Sequence, residues 1–211
     1  MVPDRSGVAA SAEHWDSAYG RSGPAGVSWY EAEPVVSLSL MSLLGISREA
    51  AVIDIGGGGS PLAIWLLGRS FTDVTVLDIS AVALEETERQ SSGGPRVRCL
   101  REDLLCWKPD RRYGLWHDRA FFHFLIDDED RRAYLRALYG AVEAGGSVIV
   151  ATFAPDGPEQ CSRLPVCRYS TEELSRALGK RFHLVESKRE EHLTPSGSVQ
   201  PFTWVAGRIG D

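Results

Sequence analysis

The chain has 211 residues, of which 43% are hydrophobic and 25% charged; this is enough for one substantial core and too balanced for a disordered or fibrous protein. A formal net charge of -6 argues against a partner as polyanionic as DNA or RNA. No apolar run approaches the roughly 20 residues that cross a bilayer, and the opening MVPDRSGVAA lacks the basic-then-apolar order of a secretory signal. The expectation is a cytoplasmic chain, monomeric or homodimeric, without membrane or nucleic-acid partners. Cys99, Cys106, Cys161 and Cys167 are scattered and fit neither a disulfide framework nor a zinc knuckle, so reduced thiols and no metal are expected.

The segment before the first strand reads as two helices, about residues 11 to 19 and 34 to 44, joined by the glycine-rich stretch 20 to 26. Trp15, Tyr19, Trp29 and Tyr30 are concentrated there and give a rigid amphipathic surface suited to covering a ligand. Residues 1–48 are therefore expected to form a lid over a core of 49–211, all within a single domain. From residue 51 strand and helix patterns alternate, the mark of a parallel α/β sheet. Strands are predicted at 51–55, 73–77, 96–101, 113–120 and 147–153, with helices at 61–67, 81–90 and 128–143. The segment 153–169 is too long and proline-rich for a simple connection. A helix from Ser170 to Gly179 opens on the capping box Ser170-Thr171-Glu172-Glu173. Strands at 181–190 and 200–208 flank the turn-forming Thr194-Pro195-Ser196-Gly197, a join short enough for a hairpin. The expected fold is a Rossmann-like α/β sheet of seven mostly parallel strands, with a C-terminal antiparallel hairpin and an N-terminal helical lid.

The strongest local signal is Val52-Ile53-Asp54-Ile55-Gly56-Gly57-Gly58-Gly59-Ser60-Pro61, a buried strand entering four glycines and a proline suited to the first turn of a helix. Such a turn lets a ligand approach the backbone, and helix N-terminal amides favour a carboxylate-bearing or anionic group. Dinucleotide binding asks for G-x-G-x-x-G, and that test fails: from Gly56 the third position is Pro61, and from Gly57 it is Leu62. About twenty residues on, Val74-Thr75-Val76-Leu77-Asp78 is a strand that ends in an acid, whose carboxylate can accept from both hydroxyls of a ribose. Asp78 could instead cap the next helix. Arg101-Glu102-Asp103-Leu104 closes the third strand with a further acid.

Asp54-x-Gly56-x-Gly58-x-Ser60 resembles the first motif of the class I S-adenosylmethionine-dependent methyltransferases, with Ser60 standing where glycine is common. More closely, His14-Trp15-Asp16-x-x-Tyr19, Ser28-Trp29-Tyr30-Glu31 and Trp116-His117-Asp118-Arg119-Ala120-Phe121-Phe122-His123-Phe124 resemble a bacterial subgroup acting on small molecules. The resemblance implies S-adenosylmethionine as cofactor, with Asp54, Gly56 and Gly58 shaping the methionine pocket, Asp78 and Ile79 at the ribose, Asp103 and Leu104 at the adenine, and Trp15, Tyr19, Trp29 and Arg119 completing the site. The Asp-Pro-Pro-Tyr signature of the amide- and base-methylating branch is absent, since Asp118-Arg119-Ala120-Phe121 stands there.

The sulfonium already activates the methyl group, so transfer needs mainly a nucleophile held in line, with a base where the acceptor carries a proton. Candidates for that chemistry stand at the end of the fourth strand: Asp118, Arg119 for a carboxylate, and His123 for a proton. Three phenylalanines around His123 also suit a packed core histidine. The expected activity is methyl transfer to a small-molecule acceptor, the alternatives being a protein side chain or a non-catalytic cofactor-binding scaffold.

Overall fold

A computed structural model describes residues 11–23, 26–93 and 96–210. The MVPDRSGVAA opening and Pro24 and Ala25 of the glycine-rich join lie outside these residues. The chain order is α1 (Ala12–Ser22), α2 (Val35–Leu43), β1 (Val52–Ile55), α3 (Leu62–Gly68), β2 (Val74–Asp78), α4 (Ala81–Gln90), β3 (Arg98–Arg101) and β4 (Tyr113–Arg119). A 3-10 turn (Phe122–Phe124), α5 (Asp128–Ala141), β5 (Val142–Phe153), β6 (Gln160–Cys161), β7 (Leu164–Pro165), α6 (Thr171–Ala177), β8 (Phe182–Leu193) and β9 (Val199–Ile209) follow.

Seven strands form one sheet in the order β3-β2-β1-β4-β5-β9-β8. The pairs among β1 to β5 are parallel, and β9 runs antiparallel to both β5 and β8. Every residue of β1 and β2 is buried, as a parallel strand covered by helices on both faces requires. Alternate residues therefore feed two cores. Ile53, Trp116 and Val150 pack with Tyr134 and Leu138 of α5, whereas Val52, Leu115 and Ile149 pack with Leu40 of α2 and Leu62 and Leu66 of α3.

Several boundaries differ from expectation for identifiable reasons. The predicted helix 128–143 ends at Ala141, because Val142 already pairs with Tyr113 and the register shifts before Leu115 meets Ser147; Gly145, at φ 74°, lies in that irregular stretch. Pro61 caps α3 from outside, since it supplies the fixed φ of a first turn and has no N–H to satisfy. The 153–169 segment contains the small β6–β7 hairpin, whose two-residue turn puts Ser162 and Arg163 at φ 50° and 67°. That is the left-handed geometry of a primed hairpin turn, normally made with glycine or asparagine, and Ser162-Arg163 carries no such turn signal. The capping box is present as read: Ser170 Oγ accepts from Glu173 N at 3.2 Å, and Glu173 Oε2 accepts from Ser170 N at 2.8 Å.

The long hairpin does more than close the sheet. Lys188, Glu190 and His192 fall on one face of β8 by strand alternation, and that face anchors the N-terminal segment. Lys188 Nζ donates to Ser39 Oγ of α2 at 2.8 Å, and His192 Nε2 lies 2.8 Å from the Ser28 carbonyl oxygen. Trp15 and Tyr19 of α1 and Trp29 cover the carboxyl ends of the parallel strands, where open α/β sheets bind their ligands, whereas α2 packs on the sheet face with α3 and is no part of that cover.

Candidate active site

β1 delivers the chain into Gly56–Ser60, and each glycine argued here has a steric reason. Gly56 adopts φ 62°, and a Cβ at Gly57 would collide with the Asp54 carboxylate. A Cβ on Gly58 would stand 2.6 Å from Ala83 Cβ and 2.7 Å from Asp78 Oδ2. The loop is seated by its amides: Gly58 N donates to Asp78 Oδ2 at 3.0 Å and Gly59 N to Thr87 Oγ1 of α4 at 2.9 Å. Tyr19 of the lid donates its hydroxyl to Gly58 O at 2.8 Å. Asp78 Oδ1 accepts from Ser80 N at 2.9 Å, while the cap of α4 is Ser80 itself, whose Oγ accepts from Ala83 N. Burial pushes the Asp78 carboxyl up to about 6, against the pull of the Ser80 and Gly58 amides.

Two cavities flank this loop. The first, about 750 Å³, brings together Gly56, Asp78, Ile79, Asp103, Leu104 and Arg119 beneath Trp15, Tyr19 and Trp29. The three lid aromatics meet edge to face, with Trp29 5.9 Å from both Trp15 and Tyr19. Asp16 latches α1 to the start of α4, accepting from Ser80 Oγ at 2.6 Å and from Val82 N at 3.2 Å. Ala120 carries φ 72° on the cavity wall, a left-handed conformation that costs a non-glycine residue energy and is common at functional sites.

The second cavity, about 520 Å³, holds Asp54 and Gly58 and shares Trp29, Gly56 and Arg119 with the first. Asp54 Oδ1 lies 2.7 Å from His117 Nδ1, and His117 Nε2 lies 3.0 Å from Ser37 Oγ of α2. The Arg119 guanidinium is held by the Trp29 carbonyl at 2.8 Å, by Glu31 at 3.2 Å and by the Phe202 ring beneath it. Glu190 of β8 lies 4.0 Å from Arg119 and accepts from Trp204 Nε1 at 2.8 Å. His192 completes the group, its ligating atom and those of Glu31 and Glu190 lying within 4.8 Å of one another. The single Arg119 guanidinium stands against both carboxyls.

Of the three side chains expected to do chemistry, the structure brings only Arg119 to a cavity wall. Asp118 is fully buried behind it, accepting from Phe121 N at 2.9 Å and from the Tyr134 hydroxyl at 2.7 Å, and thereby fixing the turn that carries Phe122–Phe124. Burial pushes its carboxyl up to about 7. His123 is also fully buried, with ring centroids 4.4 Å from Phe124 and 4.7 Å from Phe153 and no hydrogen bond to either nitrogen among the described residues. Desolvation drives its pKa down to about 3, with Arg119 adding to the shift. Neither side chain lines either cavity.

Sequence reasoning gave no role to Ser37, Thr87 or Glu190, and it placed Glu31 only within a resemblance motif and His117 only within the charged cluster that ends the fourth strand. Thr87 had a signal, a polar residue on the apolar Ala83-Leu84-Thr87 stripe of α4. Glu190 had one too, since alternation along β8 sets it on the same face as His192. Ser37 had none, because its role depends on how α2 lies over β4.

The residues fit S-adenosylmethionine. Gly57 and Gly58 leave no room for a Cβ, Asp78 and Asp103 offer carboxylate lone pairs to hydroxyl and amino donors, and Asp54 Oδ2 is buried without a hydrogen-bond partner among the described residues. Residues 52–146 match the methyltransferase domain family. The malonyl-[acyl-carrier protein] O-methyltransferase 1 of Ilyobacter polytropus is 23% identical over 79% of this chain, which spans 65% of that protein's length. EEF1A lysine methyltransferase 2 of Danio rerio is 25% identical over 82% of this chain and 75% of its own. Among solved structures, the Burkholderia thailandensis 1,6-didemethyltoxoflavin-N1-methyltransferase superimposes with a TM-score of 0.69 at 20% identity, covering 97% of this chain and 92% of its own. By its fold, its glycine loop and the methyltransferase domain matched over residues 52–146, the chain is similar to the class I S-adenosylmethionine-dependent methyltransferases.

Proposed function

We propose that this protein methylates a small-molecule acceptor bound between the aromatic lid and the carboxyl edge of the sheet. The observation that carries this reading is the cover: Trp15, Tyr19 and Trp29 close over the first cavity, and Val27, Trp29 and Pro34 help wall the second. A protein side chain would need an open groove to reach the same place. The solved toxoflavin-type enzyme, which holds 1,6-didemethyltoxoflavin, supports a small acceptor, whereas the lysine methyltransferase relative favours a protein one.

S-adenosylmethionine, when bound, supplies a methyl group on a positively charged sulfur that leaves as a neutral thioether. The chain's own contribution is to hold and desolvate. Asp78 and Ile79 are assigned to the ribose, Asp103 and Leu104 to the adenine, and Asp54 with Gly56 and Gly58 to the methionine end. Arg119, shared by both cavities, orients the acceptor side, and the lid excludes water. Among the described residues no helix is long and apolar enough to cross a membrane. With the net charge of -6, this reading has the enzyme act in the cytoplasm without nucleic acid, as a monomer or homodimer.

The test is S-adenosylhomocysteine release by the purified protein with panels of small amines, thiols, phenols and carboxylic acids, run beside unfractionated protein extract. Turnover on one small-molecule class is expected. Methylation confined to the extract would replace this reading with the protein-substrate one.

A further inference from the structure

The second cavity contains charged groups that cofactor binding does not explain. Glu31 lines it, and its side chain is 13% exposed, as is that of Glu190 beside it. Two carboxyls at this depth, with oxygens within 4.8 Å of each other, cannot both ionise cheaply. The charges facing the pair are Arg119 from β4, 3.2 Å from Glu31, and His192 from β8, with Asp54 and His117 in the same cavity and the Cys161 thiol of β6 near Arg119. Burial and Arg119 hold His192 below the usual imidazole range, so it adds no positive charge. Asp54 is already engaged by His117. The uncompensated chemistry is thus one carboxylate and one transferable proton beside a fixed guanidinium.

From this juxtaposition we infer that Glu31, positioned by Glu190 and Arg119, is the base that takes a proton from the methyl acceptor, and that the acceptor is an amine. The inference rests on the small-molecule reading above and gives it a substrate class. An ammonium group fits where the carboxyl pair would otherwise keep its proton, and an anionic acceptor would meet two acids for one arginine. In the step, an N–H bond of the ammonium breaks, its proton passes to a Glu31 oxygen, and the electron pair stays on nitrogen as the nucleophile. That neutral amine gains the methyl group and leaves as the methylated ammonium, and Glu31 returns its proton to solvent. Burial first, and then Glu190, push the Glu31 carboxyl up to about 8 against the pull of Arg119. The base is therefore the form that appears as pH rises through that value, and the rate should rise with it.

The experiment measures S-adenosylhomocysteine release with benzylamine, phenylmethanethiol, phenol and benzoic acid as matched probes, for the wild type, Glu31→Gln and Glu190→Gln. Calorimetry with S-adenosylhomocysteine and infrared pH titration of the carboxyl bands accompany it. Turnover on the amine is expected, with a rising limb near 8. Glu31→Gln should lower kcat by about a hundredfold or more and abolish that limb while leaving S-adenosylhomocysteine affinity in place. Glu190→Gln should move the limb to lower pH, as one of two competing acids is removed. A Glu31→Gln enzyme with unchanged kcat, or turnover on the thiol or acid but not the amine, overturns the inference. So does a parallel loss of affinity and kcat, which would put Glu31 on the cofactor's own amino group. If every probe is silent while protein extract is methylated, the small-molecule reading fails separately. The infrared titration then decides the pair: a protonated-carboxyl band that both variants remove supports a proton held by the pair, and its absence refutes it.

Discussion

His117 Nδ1 lies 2.7 Å from Asp54 Oδ1, and both side chains are almost completely buried. A carboxylate only accepts, so Nδ1 carries a proton, and Nε2 lies 3.0 Å from Ser37 Oγ. One imidazole therefore joins the first strand, the fourth strand and helix α2. His117→Ala would strand the Asp54 carboxylate in the core, a loss of about 3 kcal/mol or more. Thermal unfolding should show a fall of several degrees. His117→Asn, which keeps a donor for Asp54 and gives up Ser37, should recover most of it. Equal melting temperatures for the alanine variant and wild type would remove this link.

Asp78 should control cofactor affinity twice over. Asp78→Ala removes the acceptor proposed for the ribose and also the seat of Gly58 N, so S-adenosylhomocysteine binding should weaken by about tenfold or more, the equivalent of one charged hydrogen bond. The pH dependence follows from the upward shift. Protonation below about 6 removes the ionised acceptor, so affinity should fall as pH drops through that value. For the fold alone the sign is opposite. The raised carboxyl favours the native state below the ordinary carboxyl value of 3.8, and that contribution is lost as pH rises through about 6. Calorimetry across this range checks the first statement and chemical unfolding of the ligand-free protein the second.

His123 should matter to stability and not to proton transfer. Its ring fills space between Phe124 and Phe153, and a pKa near 3 keeps it neutral at any working pH. His123→Ala should destabilise by roughly 2–4 kcal/mol, the range for truncating a large buried side chain, while the pH profile of the remaining folded enzyme stays unmoved. Loss of a pH limb in a fully folded variant would return His123 to the chemistry.

The contrast between His123 and Asp78 shows what could be read from the chain and what could not. Asp54, Gly56, Gly58, Asp78 and Asp103 announce themselves because a glycine loop and acids at strand ends are local patterns with one geometric meaning in a parallel sheet. The succession of strands and helices along the chain and the closing hairpin were legible for the same reason, through apolar runs, helical periodicity and turn residues. Whether a residue at the end of β4 faces the cavity or its backing depends on the turn after it, and the residues of that turn alternate too little to say. Asp118, Arg119 and His123 looked alike in sequence, and only Arg119 reaches the wall. Glu31 and Glu190, 159 positions apart in the numbering, meet because the hairpin folds back over the lid, a contact no local pattern encodes.

The lid latch gives the last prediction. Asp16 of α1 accepts from the Ser80 hydroxyl and from Val82 N, and Ser80 in turn donates its backbone N–H to Asp78. The hydrogen bond from Ser80 holds the Asp16 carboxyl below its usual range, so the latch stays ionised at neutral pH. A lid fastened to the residue next to the proposed ribose acceptor must open for the cofactor to enter or leave, because Trp15 and Tyr19 of the same helix cover that cavity. Asp16→Ala should then speed S-adenosylhomocysteine dissociation more than it changes the melting temperature, and stopped-flow tryptophan fluorescence can follow it through Trp15 and Trp29. Asp16→Asn keeps one acceptor oxygen for Ser80 and should lie between wild type and alanine. Unchanged dissociation in Asp16→Ala, with the protein folded, would mean that the Tyr19 bond to Gly58 and the packing of Trp29 hold the lid closed without the latch.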